Sequence, residues 1–129
     1  MIKPDLQDAA FNREEIIGGM TMAQDGFTKQ DWALFREKVP KWQEAYMEKL
    51  VKEYMELLSG DGAASNKFWE LDKQIKADKR RKSVIMEMDR SEMLNNILDL
   101  IREGTITVDD LEGFSEQLRG TVKLLTERW

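Results

Sequence analysis

Residues 28–58 read TKQDWALFREKVPKWQEAYMEKLVKEYMELL, and this stretch decides the fold. Trp32, Phe35, Val39, Trp42, Tyr46, Leu50, Tyr54 and Leu57 recur every three or four residues, the spacing of a helix that buries one face. Thr28 and Asp31 stand at capping-box spacing, and Phe27 and Trp32 flank the cap as a hydrophobic staple does. Pro40 interrupts the stripe, because its ring crowds the carbonyl four residues back and it has no amide to donate. The sequence therefore predicts one helix over 29–39 and a second over 41–58, with a kinked continuous helix as the alternative.

Downstream, Ser59-Gly60-Asp61-Gly62 has the composition of a turn. Ser65 is placed to cap a helix with Phe68, Leu71 and Ile75 inward and Trp69 beside them. That helix runs into Lys79-Arg80-Arg81-Lys82, cations that suit a helix C-terminus. Ser83 to Met88 reads equally as extended chain or as more helix. Asp89 and Glu92 form a second capping-box pair, ahead of a helix burying Leu94, Ile97, Leu98 and Ile101 and stopping at Gly104. Thr107 with Asp110 opens the last helix, whose stripe is Leu111, Phe114, Leu118, Val122 and Leu125. Residues 89–127 are thus expected to form an αα-hairpin with short loops. Upstream, Leu6, Ala9, Ala10, Arg13, Ile16 and Ile17 suit a short helix ended by Gly18-Gly19, within a flexible or loosely docked segment 1–26. The expected architecture is an all-α bundle of four or five helices, with 27–129 as its single domain.

Composition excludes much chemistry. The chain has no cysteine and no histidine. Thiolate nucleophiles, zinc–thiolate sites, disulfides and any Ser-His-Asp triad are therefore ruled out, along with the commonest general base. No apolar run approaches the roughly 20 residues that span a bilayer, so no membrane partner is expected and the cytoplasm is the natural compartment. No cofactor or metal is expected either. Glu44 with Glu48, and Glu53 with Glu56, read as ordinary charge patterning on a solvated helix face. The net charge of −5 is unevenly placed. Residues 63–82 hold 7 basic and 3 acidic groups, between two segments that are both acidic.

Two surfaces stand out. Tyr46, Met47, Val51, Tyr54, Met55 and Leu58 widen the apolar arc beyond what one neighbouring helix needs, and Met- and Tyr-rich surfaces are common at interfaces. This arc is the candidate protein or dimer interface. Lys73, Lys76, Lys79, Arg80, Arg81 and Lys82, with Trp69 one turn ahead to stack on a base, are the candidate nucleic-acid contact. Asp109, Asp110, Glu112 and Glu116 would share the leading end of the last helix, where they oppose reading of DNA but could imitate a row of phosphates.

The runs DWALFREKVPKWQEAYMEKLVKEYMELLSG (31–60), FWELDKQIKADKRR (68–81) and LEGFSEQL (111–118) resemble small helical proteins carried by mobile elements of Gram-positive bacteria. The resemblance covers about residues 22–127. Some of those proteins bear a multidrug-transporter label, which conflicts with a chain that has no membrane span. The resemblance implies a genomic setting and no functional residues. The expected function is a non-enzymatic protein-interaction protein of a mobile element, regulatory or inhibitory, with anti-defence inhibitors in the same class. The alternative is a nucleic-acid-binding accessory protein using the basic helix end at 73–82.

Overall fold

The computed structural model describes residues 27–129 and is all-α: α1 (Lys29–Ser59), α2 (Ala64–Asp78), α3 (Met93–Arg102) and α4 (Glu116–Thr126), with no strand among the described residues. The short helix and glycine stop expected within 1–26 lie outside them. Short 3₁₀ turns at Arg90–Glu92 and Val108–Leu111 precede α3 and α4.

The first expectation to be corrected is the break at Pro40. α1 runs without interruption from Lys29 to Ser59 with Pro40 inside it, which is the continuous alternative. Pro40 is exposed, so the Arg36 carbonyl that loses its amide partner lies on the solvent side, where water can serve it. Buried Phe35 and Val39 anchor the helix before the proline; buried Tyr46 and Leu50 anchor it after. Rigid anchoring on both sides outweighs the local penalty.

The helix serves two assemblies. Its first half packs into a head, where Phe35 and Val39 meet Met93, Ile97 and Leu100 of α3, Ile106, Leu111 and Phe114 of the connection, and Leu118 and Val122 of α4. Its second half pairs with α2 to form an arm, while Trp42 and Gln43 at its root still touch the head and the turn after α2. No residue of α2 is fully buried.

The N-terminus of α1 forms as the sequence predicts. Thr28 Oγ1 accepts from the Asp31 amide at 2.9 Å, and Asp31 Oδ2 accepts from the Thr28 amide at 3.2 Å. Asp31 is buried and does more than cap. Its carboxylate accepts from the Ser115 amide at 2.7 Å and from Ser115 Oγ at 2.6 Å, while Ser115 Oγ accepts from the Leu118 amide. One carboxylate therefore joins the starts of α1 and α4, where both helix dipoles favour negative charge.

The C-terminal region departs from expectation in three ways. Thr107 and Asp110 do form their box, but it caps only the 3₁₀ turn. Gly113 then turns the chain with φ +96°, and a Cβ there would stand 3.3 Å from Leu34 Cδ2, so helix cannot run through it. α4 begins at Glu116, capped by Ser115; Leu111 and Phe114 reach the core from outside any α-helix. The connection between α3 and α4 is accordingly long, spanning residues 103–115, not a short hairpin loop. In α3 the buried positions are Met93, Asn96, Ile97 and Leu100, while Leu94, Leu98 and Ile101 are half-buried, a register shift from the expected stripe. Asp89 caps the 3₁₀ turn before α3 through the Ser91 amide. Ser65 does not cap α2; its N-cap is Ala63, without a side-chain hydrogen bond.

Chain from 79 to 89 turns and then runs extended, and the head holds it in place. The Glu103 carboxylate accepts from the amides of Lys82 and Ser83, both at 3.0 Å, and from the Ser83 hydroxyl, which also meets Thr105 Oγ1. Gln43 Nε2 donates to the Lys82 carbonyl and Asn96 Nδ2 to the Glu87 carbonyl. Ser83 is completely buried. These bonds fix where the arm leaves the head.

Asp31→Ala removes a cap and strands the half-buried Ser115 donors, and is expected to lower unfolding free energy by about 3 kcal/mol. Thr28→Ala removes a cap alone and should cost about 1 kcal/mol. Urea titrations of the two variants against wild type measure the difference; equal losses would show that the Asp31–Ser115 link contributes nothing beyond capping.

Candidate functional site

The arm gathers most of the residues singled out in the sequence, but sorts them differently. Tyr46 is buried, and its hydroxyl is pushed above the usual tyrosine range by burial, despite the opposing charge of Arg81. Tyr54 is half-buried and donates a hydrogen bond to the Asp78 carboxylate on α2. Desolvation first, then that bond and the carboxylate's charge, push its pKa up to about 12. Both tyrosines thus contribute to the α1–α2 seam; Tyr46, being buried, is withdrawn from the expected interface, and Tyr54 is half-covered by its bond to Asp78. Met47 is half-buried.

Val51, Met55 and Leu58 remain, exposed by 52%, 63% and 45%. Sequence reasoning placed Phe68 inside. It is 63% exposed, beside Trp69 at 65%, and the two rings meet edge to face with centroids 4.9 Å apart. Leu71 and Ile75 are half-buried and carry the α2 side of the seam.

Helical geometry places these exposed groups together. At 3.6 residues per turn, Val51 lies about 100° around α1 from buried Leu50, with Met55 and Leu58 near it. Phe68 lies about 60° around α2 from Leu71, in the same angular sense, and Trp69 lies further round. In an antiparallel pair, equal angular senses fall on one side of the pair. Met55 and Phe68 also stand about one turn from the 60–63 connection. The arm therefore carries a single apolar flank. The head does not cover it, because Phe35, Val39 and Trp42 leave α1 roughly 150° away from the Val51 stripe.

The α1 side of this flank is a shallow groove of about 510 Å³ bordered by Glu44, Met47, Glu48, Val51, Lys52 and Met55. A smaller apolar groove of about 290 Å³ lies at the root of the arm, between Arg36, Val39, Pro40 and Gln43 of α1 and Met86 and Met88 of the extended segment.

The basic run is partly spoken for. Lys76 pairs with Asp72 at 3.0 Å and Arg81 with Asp78 at 3.5 Å. The helix ends at Asp78, so Lys79 to Lys82 lie in the following turn, and Lys82 is half-buried with its backbone held by Gln43 and Glu103. The expected single helical face of cations is reduced to Trp69, Lys73, Lys76 and Arg80, spaced 4, 3 and 4 along the outward side of α2 and its end. The acidic row is also divided. Asp109 and Asp110 sit in a 3₁₀ turn, Glu112 in the bend after it, and only Glu116 on α4. Asp110 is occupied with the Thr107 amide.

Among the described residues no group of three or more acidic side chains is placed to hold a metal ion, and no helix is long and apolar enough to cross a membrane. No protein-family model, no curated protein and no solved structure matches this chain.

The two tyrosines are the only ones in the chain. Both folded-state values lie above the unfolded value of about 10. Their contribution to stability is therefore complete below pH 10 and is lost as pH rises through the folded values, near 12 for Tyr54. Tyrosinate absorbance should appear later in pH than in urea, and Tyr54→Phe should remove the later of the two steps. Titration of both rings at the value of free tyrosine would refute the Tyr54–Asp78 bond.

Proposed function

We propose that this chain is a non-enzymatic protein-interaction module that binds through the arm, with the head as the mount. The observation that carries the proposal is the flank formed by Val51, Met55, Leu58, Phe68 and Trp69. Scattered apolar side chains are normal on a protein surface; a contiguous group rimmed by charge marks an interaction site. Trp and Met are also among the residues enriched in interface cores. The sequence supports the non-enzymatic part, since it supplies neither histidine nor cysteine. The mobile-element setting, and with it a regulatory or inhibitory role, comes from the sequence resemblance alone.

The tagged full chain, incubated with an extract of its native host, should retain a protein in stoichiometric amount. Val51→Glu with Met55→Glu should abolish retention while leaving helix content unchanged, because both side chains are exposed and support no core. Retention that survives this double change would place binding elsewhere.

A second reading rests on the stripe Trp69, Lys73, Lys76 and Arg80. Three cations one helical turn apart can follow phosphates, and an exposed indole can stack on an unpaired base. On this reading, affinity for single-stranded nucleic acid falls about 20-fold between 50 and 200 mM salt, the dependence expected for three phosphate contacts. Substituting Lys73, Lys76 and Arg80 by Glu should abolish the binding. A mobility-shift assay without any shift at low salt and excess protein excludes it.

A further inference from the structure

We propose that the occupant of the apolar flank is a second copy of this chain, seated so that α1 of each arm lies over α2 of the other, about a two-fold axis running along the arms. This rests on the reading of the arm as the binding surface and names its partner.

Charge decides the arrangement. On the flank, α1 carries Glu44 and Glu48 beside its apolar stripe, and both are exposed. At the matching height the same side of the arm carries Lys76 of α2, which also pairs with Asp72 at 3.0 Å, and Lys79 just past the helix end. Counting Lys52 on the α1 side and Asp72 on the α2 side, the flank is still divided lengthwise by one net charge each, acidic on α1 and basic on α2, with apolar groups towards the tip on both. A two-fold axis along the arm sets each half against its complement twice, as an isologous interface requires. Glu44 and Glu48 then face the partner's Lys79 and Lys76, and Val51, Met55 and Leu58 face the partner's Phe68 and Trp69. An axis across the arm would instead set α1 against α1 and α2 against α2, and would leave the acids without a cation opposite.

Area and access agree. The five exposed apolar side chains offer on the order of 500 Å² per copy. With the flanking Glu and Lys stems the surface approaches the roughly 800 Å² per partner of a standard stable interface. The head leaves α1 on the far side from this flank, so the two heads stand apart while the arms close. The result is a four-helix bundle. In it α2, no residue of which is fully buried in the single chain, gains a second neighbour.

Light scattering on the full chain should give twice the 15.1 kDa chain mass at high concentration. Val51→Glu with Met55→Glu should raise the dimer dissociation constant by about 100-fold or more, with unchanged circular dichroism. The decisive variants exchange charge. Glu44→Lys with Glu48→Lys makes both helices basic on the flank, and Lys76→Glu with Lys79→Glu makes both acidic. Each variant alone should be a monomer at low salt, and an equimolar mixture should form a heterodimer. A mixture that associates no more than its components overturns this arrangement. A 15.1 kDa mass for the wild type at every concentration overturns the dimer itself. If that monomer still loses a stoichiometric partner protein through the Val51 and Met55 substitutions, the arm remains an interface for a different protein. If the wild type forms a dimer indifferent to those substitutions, both the dimer as drawn and the flank as its seat fail.

Discussion

The structure depends on α1 staying one rod across Pro40. A proline inside a helix removes a hydrogen bond and crowds the preceding turn, typically by about 3 kcal/mol or more. That penalty is tolerated because the helix is held on both sides of it. Before the proline, Phe35 and Val39 are sealed in the head and Asp31 ties the helix start to Ser115. After it, Tyr46 and Leu50 are buried. Had the helix broken, head and arm would be joined by a swivel at residue 40. Instead the arm's direction is set by the head, and the bonds of Glu103 and Gln43 to the turn after α2 set it a second time. A surface on the arm is therefore presented at a fixed angle.

The helical class was legible because period survives without knowledge of neighbours. The α1 stripe marks its inward face correctly for Phe35, Val39, Tyr46 and Leu50. What covers that face changes along the helix, from a three-sided head to a single helix, and no spacing encodes the change. This is why Tyr54 and Leu57, alike in pattern, end only half-buried. Two of the three capping boxes, Thr28–Asp31 and Thr107–Asp110, were read correctly as local structures, since each involves four residues and two hydrogen bonds; the third does not form, because Asp89 accepts from the Ser91 amide and has no reciprocal bond with Glu92. How far a helix continues past its cap is a different matter. Thr107–Asp110 forms its box and the helix then fails, because Gly113 adopts a left-handed conformation close to Leu34, a residue distant in sequence.

The candidate surface was half legible. Val51, Met55 and Leu58 lie off the main stripe, and that excess was visible. Phe68 was not, because it stands three and seven residues ahead of Leu71 and Ile75 and shares their apparent face. A wide apolar arc on α2 looks the same in sequence whether it is split between two neighbours or half exposed. Only the count of neighbouring helices separates the cases, and tertiary structure supplies that count.

Two helices packed side by side can bury only one stripe each. The head escapes this limit by surrounding α1 with α3, the long 103–115 connection and α4, and it closes around ten buried apolar residues. The arm does not escape it. Its seam uses Tyr46, Leu50, Tyr54, Leu57, Leu71 and Ile75, while Val51, Met55, Leu58, Phe68 and Trp69 stay in water. An isolated two-helix layer rich in surface charge has no need of Trp69, Phe68 or Met55 for solubility or for helix formation, since Lys, Glu or Ala would serve both better. Their presence together on one flank, away from the head, is the physical basis of the proposal that another surface removes them from water.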